Sequence, residues 1–205
     1  RLQKPLHHGW GVMCHVTSIP CEGKPGTLGA PARRFVDHLE EMGASYWQVL
    51  PLNPTDEHHS PYAGPSAFAG NIDLLEEDDA ALQKQYCAFI ANEGELQADF
   101  RAFAERASTW LDPYCAFAAV KDVHDGASRH TWEEKLSRYD VAILDDPIYR
   151  ERARYHAFAQ YRFDCEWREL KRYANERGIR IIGDIPMYVS DDSADTWSEP
   201  EMFQL

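Results

Sequence analysis

The chain has 205 residues, 44% of them hydrophobic and 27% charged, the balance of an ordinary globular protein rather than a disordered one. Its 21 basic and 34 acidic residues leave a net charge of −13, which argues against a nucleic-acid partner or an anionic membrane surface, because both need clustered Lys and Arg. No run approaches 18 consecutive apolar residues, so no bilayer span is expected, and residues 1–10 lack the apolar stretch and cleavage site of a signal peptide.

In chain order, residues 11–19 (GVMCHVTSI) form a short apolar, β-branched run closed by Pro20, which predicts a strand. Pro31 then suits the first turn of a helix. Phe35, Val36, Leu39 and Met42 follow at helical spacing, and Gly43 supplies the stop. Residues 46–52 (YWQVLPL) predict a second strand, ended by Pro51 and Pro54. A strand, a crossover helix and a second near-continuous apolar strand indicate parallel pairing covered on both faces.

Residues 53–71 form a Pro-, Gly- and Ser-rich loop, long for a compact domain, and they carry Tyr62, Phe68 and His58-His59, more ring side chains than a mere linker needs. From 74 to about 140 the pattern is helical throughout, with Asp112-Pro113 read as a cap and first-turn proline. Thr131 and Glu134 have the spacing of a capping box. Asp146-Pro147 starts a long helix whose stripe is Tyr155, Ala159, Phe163, Trp167, Leu170 and Ala174, with Gly178 as its stop. Residues 179–189 (IRIIGDIPMYV) predict a third buried parallel strand. The expected organisation is 1–73 as two strands with their loop, 74–140 as an inserted helical subdomain, and 141–205 as a long helix, third strand and following loop.

The candidate chemistry is sparse. Asp184 follows an apolar run, and polar groups at the carboxyl ends of parallel strands converge on ligand sites; an Asp capping the turn before Pro186 is the equal alternative. Asp191, Asp192, Ser193 and Asp195 lack EF-hand spacing, which favours a solvated loop and helix N-terminus over a cation loop. The pairs His7-His8 and His58-His59 lack a third ligand at helical spacing, so no metal is expected. No nucleotide fingerprint or nucleophile elbow occurs, and no cofactor is implied. The five cysteines are odd in number and widely spaced, which suits reduced thiols in a cytoplasm. Tyr62 and Trp197 sit beside polar loop residues, where an aromatic face and neighbouring hydroxyls would suit a sugar ring.

Four stretches taken together resemble one family. They are residues 11–20 (GVMCHVTSIP); residues 46–55 (YWQVLPLNPT); Ser60-Pro61-Tyr62 with Ser66-Ala67-Phe68-Ala69-Gly70-Asn71; and residues 173–179 (YANERGI), then 183–189 (GDIPMYV) and Asp192-Ser193-Ala194-Asp195-Thr196-Trp197. The family is 4-α-glucanotransferase, or amylomaltase, a relative of the α-amylases. The resemblance implies an α/β fold, the N-terminal part of a (β/α)8 barrel contributing about three strands, with an inserted helical subdomain. It implies transfer of α-1,4-glucan segments between maltodextrins by a retaining double displacement. An α-amylase-type hydrolase and a non-catalytic glucan-binding module are the alternatives.

The family's nucleophile and acid/base lie on later strands and are expected downstream of Leu205. No catalytic residue is therefore assigned here, and these 205 residues alone are expected to be inactive. A barrel typically needs about 250 residues even without insertions. The resemblance assigns substrate binding to Ser60 and Tyr62, to Asp184, and more weakly to Asp192, Ser193 and Asp195. Partners are then α-1,4-glucans and maltooligosaccharides in the cytoplasm. Two departures fall near the implied glucan path: Glu57-His58-His59 before the S-P-Y loop, and Pro25 to Gly29 in place of the family's glycine-rich turn.

Overall fold

The computed structural model describes residues 8–21, 23–56 and 58–204. The expectation about a signal peptide therefore falls largely outside the described residues, as do His7 and Glu57. Leu205 also lies outside them, and so does the expectation of a nucleophile and an acid/base downstream of it.

Three strands, β1 (Gly11–Met13), β2 (Tyr46–Gln48) and β3 (Arg180–Ile182), form one parallel sheet in the order β1-β2-β3. The register aligns Val12, Trp47 and Ile181 in one row and Met13, Gln48 and Ile182 in the next. Alternation sends these rows to opposite faces. The Val12 row packs into the core, with Trp47 fully buried and edge-on to Phe35 of α1 (Ala30–Glu41) at 5.2 Å.

The expectation of a sheet covered on both faces is not met, since Met13 and Ile182 are exposed. The strands are also shorter than their apolar runs. After Met13 the chain enters a 3₁₀ turn at Val16–Ser18, and Pro51 has no N–H to extend the ladder from β2. Past Ile182 the apolar residues leave the sheet, with Ile185 and Met187 each 78% exposed and Tyr188 71% exposed. In that stretch apolarity marks a loop.

The helices include α2 (Asp79–Ala91), α3 (Ala98–Arg106), α4 (Leu111–Val123), α5 (Pro147–Glu176) and α6 (Ala194–Ser198). The long helix begins as its sequence predicts. Asp146 caps it by accepting from the Ile148 N–H, Pro147 occupies the first turn, and Gly178 takes φ +77° beyond its end. At 30 residues, α5 is roughly 45 Å long at 1.5 Å per residue. It joins two core clusters: one with the sheet, α1 and α2, the other with α4 and α6.

Two local expectations fail. Asp112 lies inside α4, which starts at Leu111 because that side chain is buried in the second core. Thr131 makes no capping box with Glu134. Its Oγ1 donates to the Ser128 carbonyl at 2.7 Å, and Ser128 is the cap of that turn. Burial of Trp132 between them splits the segment into two 3₁₀ turns, Arg129–Thr131 and Glu134–Leu136. Beyond Val123 the predicted helical region continues only as such short turns as far as Asp145.

Candidate glucan-binding site

The parallel ladder sets which loops meet. The Cys14 N–H donates to the Gln48 carbonyl and the Val49 N–H to the Ile182 carbonyl, each at 3.0 Å, so the chain leaves β1, β2 and β3 on the same side. The loop after β2 (53–71) and the segment after β3 (183–195) begin there.

The 53–71 loop is ordered by its own polar side chains. Asp56 Oδ1 accepts from the His58 and Ser60 N–H groups at 2.9 and 2.8 Å, closing a turn in which His59 takes φ +59°. Such Asx capping replaces backbone bonds that a loop otherwise lacks. Buried Asn53 donates to the Pro61 carbonyl at 2.9 Å, and Ser60 Oγ accepts from the Tyr62 N–H at 3.3 Å. Further along, Ser66 Oγ accepts from the Phe68 and Ala69 N–H groups, both at 3.1 Å.

These bonds present Tyr62 to Asp184. The phenol donates to Asp184 Oδ2 at 2.8 Å, while Asp184 Oδ1 accepts from the Ile185 N–H at 2.9 Å. Donating to a carboxylate pushes the Tyr62 phenol above its ordinary range, since ionisation would break the bond and set two negative charges together. One Asp184 oxygen thus engages its own turn, as the capping alternative expects, while the other meets a second loop. Tyr62 remains partly exposed.

Beside this pair lies a cleft of about 360 Å³, walled by Asn53, Phe68, Trp110, Phe163, Trp167 and Asp184. Phe68 is 63% exposed at its rim. A lining that combines aromatic side chains with a carboxylate supplies the two kinds of contact, apolar and hydrogen-bonding, that suit a sugar ring.

The other three sequence candidates are engaged with protein. Asp192 meets Lys121 Nζ at 2.5 Å and accepts from the Arg129 N–H at 3.0 Å. Next to it, Asp191 is held below the usual carboxylate range by hydrogen bonds from His130 and Arg129. Ser193 is buried as the cap of α6, accepting from the Thr196 N–H at 3.2 Å. Asp195 accepts from the Ala67 N–H at 3.1 Å, and burial pushes its carboxyl up. With the Ser190 N–H on the Gly64 carbonyl and the Ala194 N–H on that of Pro65, these contacts lock the two loops together.

Trp197 departs from the expectation of a sugar-facing ring. It is fully buried, donates from Nε1 to the Leu136 carbonyl at 2.8 Å, and packs on Phe117, Trp132 and Tyr139. Sequence reasoning in turn passed over Asn53, Asp56 and Gln160. Gln160 carried a faint signal, as an amide next to the apolar stripe of α5.

A parallel α/β protein whose βα loops meet at the carboxyl ends of its strands belongs to the class that builds binding sites from those loops. The chain belongs to the 4-alpha-glucanotransferase family, glycoside hydrolase family 77, whose model matches residues 14–87 and 76–205. It is 37% identical to a 4-alpha-glucanotransferase of Aquifex aeolicus over 95% of this chain and 46% of that protein. Identity to the Thermus thermophilus counterpart is 36%, over 98% of this chain and 46% of that protein. Among solved structures, an amylomaltase from Streptococcus agalactiae in complex with acarbose superposes with a TM-score of 0.86 at 32% identity. That alignment covers 97% of this chain and 47% of the amylomaltase, corresponding to its N-terminal part. The chain spans about half the length of the curated relatives it matches.

Proposed function

We propose that this chain forms the donor-binding side of a 4-α-glucanotransferase, which moves α-1,4-glucan segments between maltodextrins in the cytoplasm. Family membership supports the reaction class, and the contact of Tyr62 with Asp184 carries the site assignment. Tyr62 offers a ring face and a phenol, Asp184 accepts hydrogen bonds from sugar hydroxyls, and Ser60 adds a hydroxyl beside them. Asp192, Ser193 and Asp195 support the same loops through their protein contacts. In this reading residues 74–140 are an insertion that backs the binding loops, and the reaction needs no cofactor.

The chemistry is a retaining double displacement. One carboxylate attacks the anomeric carbon, and a carboxylic acid protonates the leaving oxygen. The same group, now ionised, then takes the proton of the incoming 4-hydroxyl. No residue from Arg1 to Leu205 is given either role. A transferase must also favour a sugar over water at the second step, which depends on acceptor-subsite contacts, while donor-side contacts hold the segment that is transferred.

The acarbose-bound neighbour makes a glucan-like ligand a reasonable probe of this side. Because these 205 residues alone are expected to be inactive, the test uses a full-length transferase that carries them, which with maltotriose is expected to give glucose together with longer oligomers. Glucose and maltose without longer products would identify a hydrolase, and binding without turnover would identify a glucan-binding module.

A further inference from the structure

We propose that Gln160 is a positioning residue for the glucan-binding loop, its amide fixing the backbone of Gly70 and through it the placement of Tyr62 against Asp184. The proposal rests on the glucan reading of that site.

Gln160 lies in the middle of α5 and is 2% exposed. A buried primary amide is costly unless all of its polar atoms find partners. This one spends both ends on one residue: Oε1 accepts from the Gly70 N–H at 2.7 Å, and Nε2 donates to the Gly70 carbonyl at 2.9 Å. The side chain thus acts as a short piece of strand, fixing the orientation as well as the position of the loop backbone. Gly70 suits this seat because a Cβ there would run into the Phe163 ring, one turn along the same helix.

The bonds run onward to the site. The Asn71 N–H donates to the Leu52 carbonyl at 2.8 Å, tying the two stems of the loop. Asn53, next to Leu52, donates to the Pro61 carbonyl, and Pro61 immediately precedes Tyr62. A long helix packed in both cores therefore supplies the fixed point, and the partly exposed Tyr62 lies at the far end. An apolar residue at 160 would fill the same space but leave both Gly70 groups unpaired, with nothing to select one loop orientation.

Gln160→Glu makes the idea testable without a drastic change of shape. A protonated carboxyl accepts from the Gly70 N–H and donates to its carbonyl, as the amide does. An ionised carboxylate turns an acceptor toward that carbonyl and repels it. Amide hydrogen exchange and maltoheptaose titration are to be measured across pH on the intact protein, as wild type, Gln160→Glu and Gln160→Leu. Exchange is compared with wild type at each pH, which cancels the intrinsic dependence.

In Gln160→Glu, exchange over residues 60–71 is expected to rise at least tenfold as the new carboxyl ionises, with the sheet and α5 unchanged. Maltoheptaose affinity should fall about tenfold over the same range and recover at low pH. Gln160→Leu should show the loosened loop at every pH; if it does not fold, the low-pH recovery of Gln160→Glu still decides the question. Wild-type affinity and exchange in Gln160→Glu at high pH would overturn the proposal. A rise in exchange spread evenly over the chain would overturn it too, since that marks a purely structural role. Failure of the wild-type protein to bind maltoheptaose would instead contradict the glucan reading itself.

Discussion

Tyr62 and Asp184 stand 122 residues apart in the chain and meet through a 2.8 Å hydrogen bond from phenol to carboxylate. Each comes from a different loop, one after β2 and one after β3, so parallel pairing of those strands is what makes the contact possible. The pair joins a ring face to a strong acceptor at the edge of an aromatic cleft.

Removing only the phenolic hydroxyl separates the two parts of this pair. Tyr62→Phe keeps the ring and deprives Asp184 of its donor, so maltoheptaose affinity should fall about threefold to tenfold, whereas Tyr62→Ala should lose tenfold or more. Isothermal titration of the two variants checks the order. Equal losses would place the whole effect in the hydroxyl.

Gly70 is expected to be intolerant of a side chain. Gly70→Ala forces a methyl group into the Phe163 ring, and overpacking of this kind costs roughly 1–3 kcal/mol. Urea denaturation followed by the tryptophan signal measures it, and a change below about 0.5 kcal/mol would show that Phe163 can step aside.

A second carboxyl contact predicts how stability responds to pH. Glu166 on α5 accepts from the Glu76 N–H and hydrogen-bonds Glu77, with Arg162 close to both. Burial first, and then the bond to Glu77, push Glu166 up to about 7. The folded state thus holds a proton that the unfolded chain releases near pH 4.3. The resulting stability is present at low pH and is lost as pH rises through about 7. Burial pushes Glu77 up, but hydrogen bonds from Gln85 and Glu166 together with Arg162 outweigh it and hold Glu77 low, which offsets part of the effect. Glu166→Gln copies the protonated form. After allowance for solvent screening, it should raise stability at pH 8 by about 1 kcal/mol, or 2–4 °C in Tm for a chain of this size. A thermal scan at pH 5 and pH 8 tests this; equal gains at both would contradict a shared proton.

The ion pair of Lys121 with Asp192 ties α4 to the segment after β3. Lys121→Met keeps most of the apolar stem but removes the ammonium, whose Nζ also lies over the Phe117 and Trp132 rings at 5.5 and 5.8 Å. It should therefore cost about 1 kcal/mol through the charge alone. In a double-mutant cycle with Asp192→Asn the two changes should be non-additive; strict additivity would show that the pair contributes nothing.

Much of the scaffold was legible from local pattern. The stripe from Tyr155 to Ala174, the Asp146 cap and the Gly178 stop all stand where their spacing placed them, because a long amphipathic helix repeats its signal many times. Strand ends were not legible. Ile185, Met187 and Tyr188 are as apolar as the strand before them, and only the pairing shows that they leave the sheet. Trp197 misled for a related reason, since the acidic residues before it form the start of a short helix whose opposite side enters the second core. Tyr62 and Asp184 were each singled out, but their contact depends on tertiary pairing that no local window contains. Gln160 was hidden because periodicity registers apolar residues and passes over a satisfied amide.

The most direct test is titration of the intact protein with maltoheptaose, comparing wild type with Tyr62→Ala and Asp184→Asn. Saturable binding weakened at least tenfold by either substitution is the predicted result. Binding that both variants retain at wild-type strength, or no binding by the wild type, would contradict a glucan site built on Tyr62 and Asp184.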